Sequence, residues 1–95
     1  MKQRDVFRLI SEERDYQDSL GSDRTDGHQH SVGEELVLLE VYLRRAFDAW
    51  ADNPGDQQAL DQVRKIAAIA VRCMENHGGR PVSSESFEEL LEEER

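Results

Sequence analysis

Residues 31–77 read SVGEELVLLEVYLRRAFDAWADNPGDQQALDQVRKIAAIAVRCMENH. Within this stretch, residues 31–52 and 56–77 each carry apolar side chains at helical spacing. The run Asn53-Pro54-Gly55 between them breaks helices, and a turn there would fold the second helix back along the first. The segment therefore predicts an antiparallel helical hairpin.

The start and the contact faces of the hairpin helices can also be predicted. Ser31 followed three residues later by Glu34 is a capping box, in which the hydroxyl and the carboxylate satisfy free amide groups at a helix start. Alternating three- and four-residue spacing defines one apolar seam on each helix. The seams consist of Leu36, Leu39, Leu43, Ala46 and Trp50, and of Leu60, Val63, Ala67, Ala70 and Met74. We expect the two seams to face each other.

A further principal helix is predicted at the N-terminus. Apolar residues between Val6 and Leu20 recur three and four residues apart, and Glu13 interrupts their stripe. This amphipathic helix should end near Gly21, because residues 21–30 show no periodicity and are typical of a loop.

The fold class that follows is all-α, an antiparallel bundle of three main helices. It forms one domain over residues 1–82, while residues 83–95 predict either a short helix capped at Ser86 or a frayed acidic tail. The helix at 31–52 is apolar over more of its circumference than one neighbouring helix would cover. We therefore expect homo-oligomerisation to complete the bundle, since a chain of 95 residues builds only a small core.

Charge and hydropathy restrict the function. A net charge of −9 at pH 7 disfavours binding to duplex nucleic acid, whereas a free nucleotide needs only a local basic pocket. No apolar run approaches the ~18 residues of a membrane-spanning helix. The sole cysteine, Cys73, cannot form an intrachain disulfide. These features predict a soluble protein without a membrane partner, in a reducing compartment.

Four runs are similar to small phage and prophage proteins of the MazG-like all-α group: ERDYQD at 13–18, HSVGE at 30–34, AW at 49–50 and IAVRCMENHG at 69–78. The resemblance covers about residues 5–81. It implies a dimeric or tetrameric nucleoside triphosphate pyrophosphohydrolase in the cytoplasm of a bacterium or a phage-infected host cell. It also implies Mg²⁺ as cofactor, held by helix carboxylates, because this hard ion takes oxygen ligands and neutralises phosphate charge.

The acids that this resemblance implies are only partly present. The superfamily carries an EExxE motif on one helix and ExxD on the next. Here Leu38 stands where the third acid after Glu34 and Glu35 would be, and Arg64 stands at the second acid position after Asp61. The carboxylates left as candidate Mg²⁺ ligands are Glu40, Asp61 and Glu13.

The candidate contacts to a substrate are Arg44, Arg45, Arg64, Lys65 and Tyr16. Arginines in place of acids would repel Mg²⁺ and could bind phosphate oxygens directly. A plainer interpretation makes Glu40, Arg44 and Asp48 a surface ion-pair ladder with one helical turn between neighbours, and it applies to Asp61 and Lys65 as well. Three functions stay open: a Mg²⁺-dependent pyrophosphohydrolase, a non-catalytic protein that binds or sequesters nucleotides, and an oligomeric helical scaffold. We predict a MazG-like protein directed at nucleotides and leave its catalysis open.

Overall fold

The computed structural model describes residues 1–21, 30–52 and 55–84, and within these ranges the regular structure is helical throughout. The prediction of an all-α helical bundle is confirmed. The predicted helix or tail beginning near Ser86 lies outside the described residues, as does most of the predicted loop at 21–30. No helix in the described part of the chain is both long enough and apolar enough to span a membrane.

Three α-helices make up the described structure. Helix α1 spans Gln3–Gly21, α2 spans Val32–Asp52 and α3 spans Gln57–His77, and a short 3₁₀ turn follows at Val82–Ser84. The capping box predicted at the start of α2 is confirmed. The Glu34 amide donates to Ser31 Oγ at 3.1 Å, and the Ser31 amide donates to Glu34 Oε1 at 3.0 Å.

Helix α3 lies in the middle of the bundle. Both α1 and α2 pack on α3, and no Cα atom of α1 comes within 8 Å of one in α2. Arg14 joins α1 to α3 by donating from Nε to Glu75 Oε1 at 2.9 Å. The two backbones are therefore apart, although Gln17 of α1 and Tyr42 of α2 line one small pocket beside α3.

Helices α2 and α3 form the predicted antiparallel hairpin. Near its open end Arg72 donates to both carboxylate oxygens of Glu35, from Nε at 3.1 Å and from Nη2 at 2.7 Å. At the end itself, His77 Nε2 donates to the His30 carbonyl at 2.7 Å. The residues that meet lie near the beginning of α2 and the end of α3, as a turn at Gly55 requires.

The apolar core of the single chain is small. Among the described residues, the apolar side chains classed as buried are Ala46, Ala68 and Ile69. A core of this size buries little apolar surface, and burial of apolar surface is the main favourable contribution to folding.

The predicted contact seams are wrong in part. Leu39 and Ala46 turn toward α3, but Leu36 and Trp50 of the same predicted seam are 58% and 62% exposed. On α3, the seam residues Leu60, Val63 and Met74 are likewise at least half exposed. Helix α2 is apolar around most of its circumference, so periodicity alone did not fix its rotation. The observed rotation brings Glu35 to Arg72, which a buried carboxylate requires.

Candidate functional site

The residues predicted from the sequence as a site meet in part, in a cleft between α1 and α3. The cleft has a volume of about 490 Å³. Its lining consists of Leu9, Glu12, Glu13 and Tyr16 from α1 and of Arg64 and Lys65 from α3. The α1 residues recur three and four positions apart, so they project from one side of that helix. Four of these six side chains were candidates from the sequence: Glu13, Tyr16, Arg64 and Lys65.

Glu13 is the buried acid of the cleft, with only 8% of its surface exposed. Its Oε1 accepts a hydrogen bond from Arg64 Nε at 2.8 Å, and its Oε2 accepts one from Gln17 Nε2 at 3.4 Å. A buried carboxylate is stable only with such partners, because desolvation of an unpaired charge is costly. The interruption that Glu13 makes in the apolar stripe of α1 is thus explained by an ion pair across to α3.

Arg64 connects two of the predicted acids. Besides Glu13 it bonds Asp61, from Nη1 to Oδ1 at 3.0 Å. The hydrogen bond to Glu13 raises the pKa of Arg64 above its ordinary value; burial opposes this rise and the bond to Asp61 adds to it. The guanidinium therefore stays charged at every physiological pH and neutralises the carboxylates beside it.

Two cations line the cleft, Arg64 and Lys65. Of these, Lys65 has no acid partner among the described residues. Its side chain is half-buried in the lining, while its backbone carbonyl accepts a bond from Gln17 Nε2 at 3.5 Å. Tyr16 stands at the rim with 58% of its surface exposed. An ammonium group with free donors next to an exposed aromatic ring is suited to an anionic ligand that has a flat or apolar part.

The candidates on α2 lie away from this cleft. Arg44 Nη2 donates to Glu40 Oε1 at 2.9 Å, and both side chains are largely exposed. The surface ion-pair interpretation of Glu40 and Arg44 is therefore confirmed. The Arg45 guanidinium lies 4.9 Å from the centre of the Tyr42 ring, a cation–π contact within α2. None of these α2 residues lines the α1/α3 cleft, whose lining comes from α1 and α3.

Each of the three predicted metal ligands has an arginine as its partner. Glu13 and Asp61 both accept hydrogen bonds from Arg64, and Glu40 accepts one from Arg44. A carboxylate bonded to a guanidinium binds Mg²⁺ only if that bond is broken and the two cations tolerate each other. Within the described ranges, no group of three or more His, Cys, Asp or Glu side chains is placed to hold a metal ion.

Sequence reasoning missed the pairing of Glu35 with Arg72. Glu35 is completely buried, and only 16% of the Arg72 side chain is exposed. A signal was present: Glu35 precedes Leu39 by four residues and Tyr42 by seven, and Arg72 follows Ala68 by four and Ile69 by three. Once the rotation of α2 is known, this spacing places the acid and the base on the two facing sides of the hairpin, but the spacing alone did not identify that side of α2.

An apolar groove continues the polar cleft along α1 and α3. It has a volume of about 380 Å³ and shares Leu9 and Arg64 with the cleft. Its apolar lining includes Val6, Ile10, Leu60 and Val63. Together, the groove and the cleft offer a polar end with a free ammonium group and an apolar end, on one side of the bundle.

Comparison of the chain with protein-family models, with curated proteins and with solved structures finds no match. The resemblance to the MazG-like group therefore stays a prediction from the sequence.

Proposed function

We propose that this chain is a non-catalytic binding protein for a phosphorylated small molecule, with a nucleotide as the first candidate. The ligand phosphate would lie against Lys65, and Tyr16 and Leu9 would contact its base or another flat part. The observation that carries the proposal is the half-buried Lys65, which has no acid partner among the described residues and shares a cleft with Tyr16. The sequence resemblance to nucleotide-directed proteins supports the choice of ligand and a cytoplasmic setting.

The bonds of Glu13 and Asp61 to Arg64 favour a protein that binds the ligand without hydrolysing it. A pyrophosphohydrolase needs carboxylates free to hold Mg²⁺ against the triphosphate. Glu13 and Asp61 are instead bonded to Arg64, whose charge repels a metal ion and attracts phosphate. Two of the five N–H donors of Arg64 are used in these bonds, so the same guanidinium can still donate to a phosphate oxygen beside Lys65.

The first prediction concerns nucleotide binding at Lys65. Lys65→Met should weaken the binding of a nucleoside triphosphate by about one to two orders of magnitude, because a hydrogen bond to a charged group contributes roughly 1.5–3 kcal/mol. Glu12→Gln should strengthen the binding, since it removes an exposed negative charge from the lining. Calorimetry with a panel of nucleotides, at low and at high salt, measures both effects, and added salt should weaken binding to the wild-type chain.

Arg8→Met serves as the control, because Arg8 is exposed on α1 and does not line the cleft. It removes one positive charge, as Lys65→Met does, but outside the cleft, and should leave the affinity unchanged. Equal weakening in Arg8→Met and Lys65→Met would refute the assignment of the site. If no nucleotide binds to the wild-type chain at any salt concentration, the proposed ligand class is wrong.

A second experiment distinguishes a nucleotide-binding protein from a pyrophosphohydrolase. Wild-type protein is incubated with nucleoside triphosphates and Mg²⁺ and then denatured, and the released nucleotides are analysed. We expect them to be intact. Rapid conversion of triphosphates to monophosphates, absent from a Glu13→Gln sample prepared in parallel, would overturn the binder and establish a Mg²⁺-dependent hydrolase despite the arginine partners.

A second candidate function is an oligomeric helical scaffold. The observation that favours it is the extent of exposed apolar side chains on α2, where Phe47 and Trp50 are each more than 60% exposed. Large apolar side chains exposed side by side mark interaction surfaces. This function needs no small ligand, so a chain that binds no nucleotide and still self-associates would support it.

A further inference from the structure

Four large apolar side chains form a stripe along the exposed side of α2. The stripe consists of Leu36, Leu43, Phe47 and Trp50, which are between 49% and 63% exposed. Their spacings of seven, four and three residues place them on one side of a helix with 3.6 residues per turn. Glu35 and Ala46, which are buried against α3, point in a different direction from the same helix. The α2 stripe is therefore left uncovered by the rest of the described chain.

We propose that the α2 stripe is covered by the α2 stripe of a second copy, in an antiparallel pair with its two-fold axis beside Leu43. Leu36 and Trp50 stand seven residues before and seven residues after Leu43. An antiparallel two-fold at Leu43 consequently sets Leu36 level with the partner's Trp50 and Leu43 against the partner's Leu43. A two-fold interface requires a surface that complements itself, and this spacing meets that requirement.

Charge favours the antiparallel orientation. Glu40 and Arg44 lie on one flank of the stripe and are bonded to each other. In the antiparallel pair, Glu40 is level with the partner's Ala46, about 3 Å along the axis from the partner's Arg44, at 1.5 Å per residue. Each Glu40 then has its own Arg44 and the partner's Arg44 nearby. A parallel pair would place this flank of the two helices on opposite sides of the interface, away from the partner's Arg44, and would align the helix dipoles unfavourably.

The length of the α2 stripe determines how strongly we expect the two copies to associate. From Leu36 to Trp50 it extends about 21 Å, and the half-exposed Val32 lengthens it to about 27 Å at 1.5 Å per residue. A single pair of helices in contact over this length belongs at the lower end of specific interfaces, which bury about 800 Å² per partner. We therefore expect a dimer that dissociates at micromolar concentration. The net charge of −9 opposes association, so added salt should strengthen it.

Disulfide cross-linking tests the geometry of the pair. In a chain with Cys73→Ala, which removes the only native thiol, single cysteines are introduced as Leu43→Cys, Leu36→Cys and Trp50→Cys. Each is oxidised under mild conditions and examined on a denaturing gel. A disulfide requires Cα atoms about 5.5 Å apart, whereas Leu36 and the partner's Leu36 would be about 21 Å apart along the axis. Of the three variants, we expect only Leu43→Cys to form a disulfide with a second copy of itself. A mixture of Leu36→Cys and Trp50→Cys should form a disulfide between the two different variants.

The cross-linking has outcomes that overturn the proposal. If Leu36→Cys cross-links to itself as readily as Leu43→Cys, the pair is parallel. If no stripe position cross-links faster than Val37→Cys, the α2 stripe is not the interface, because Val37 is exposed on α2 but lies off the stripe.

Charge substitutions supply an independent measurement. Leu43→Glu should give a monomer in sedimentation equilibrium at concentrations where the wild-type chain is a dimer. Val37→Glu adds the same charge to the same helix and should remain dimeric. Circular dichroism verifies that both variants are helical; if Leu43→Glu does not fold, the cross-linking pattern decides alone. A wild-type chain that stays monomeric up to millimolar concentration contradicts the proposal, whatever the result of nucleotide binding.

Discussion

At the scale of single residues, the chain contains both buried and exposed ion pairs, and the two kinds should contribute differently to its stability. The pair of Glu35 with Arg72 is bidentate, and its carboxylate is fully buried between α2 and α3. The pair of Glu40 with Arg44 is exposed on both sides. An exposed pair contributes little because water and salt screen it, whereas breaking a buried pair leaves an uncompensated charge. The two pairs on one helix should therefore differ strongly when one partner is removed.

We predict that Arg72→Met destabilises the chain by about 3–5 kcal/mol, because the Glu35 carboxylate is then buried without its cation. Urea unfolding followed by circular dichroism measures the loss. The double variant Glu35→Leu with Arg72→Met should recover most of the stability, since it removes both buried charges. The exposed Arg8→Met should change the free energy of unfolding by less than about 0.5 kcal/mol. An Arg72→Met chain as stable as Arg8→Met would show that Glu35 finds water or another partner.

At the scale of the helices, the ends were predictable and the rotation of α2 was not. The start of α2 follows from Ser31 and Glu34, which bond within one turn, so local sequence contains the whole signal. The rotation of α2 depends on a partner 37 residues away in sequence, Arg72. Periodicity could not choose between faces, because apolar residues occur on nearly every side of this helix.

The end of α3 yields a further prediction. Gly78 has a φ of +89° and its amide donates to the Met74 carbonyl at 2.7 Å. A side chain at such a backbone conformation is strained whatever the space around it. Gly78→Ala should therefore destabilise the chain by about 1–3 kcal/mol. Gly79→Ala is the matched control, because its added Cβ would meet Met74 at an ordinary 3.7 Å. Equal thermal midpoints for the two variants would contradict the backbone explanation.

At the scale of the whole molecule, the candidate site was half predictable. Glu13, Tyr16, Arg64 and Lys65 come together because each lies on the side of its own helix that faces the other, and helical spacing indicates such sides. Sequence spacing could not show that α1 and α2 would both pack on α3 while no Cα atoms of the two come within 8 Å of each other. Glu40 bonds Arg44 within α2, whereas Glu13 and Asp61 share Arg64 as their partner.

The small apolar core of the described chain has a consequence for the kinetics of folding. If burial of the α2 stripe supplies much of the stability, folding is coupled to association by mass action. The apparent refolding rate and the denaturation midpoint should then both rise with protein concentration, which dilution series in stopped-flow and urea titration would reveal. In Leu43→Glu, both quantities should become independent of concentration. Dilution below the dissociation constant of the pair would then lower the stability of each chain, so that the abundance of the protein would affect its lifetime.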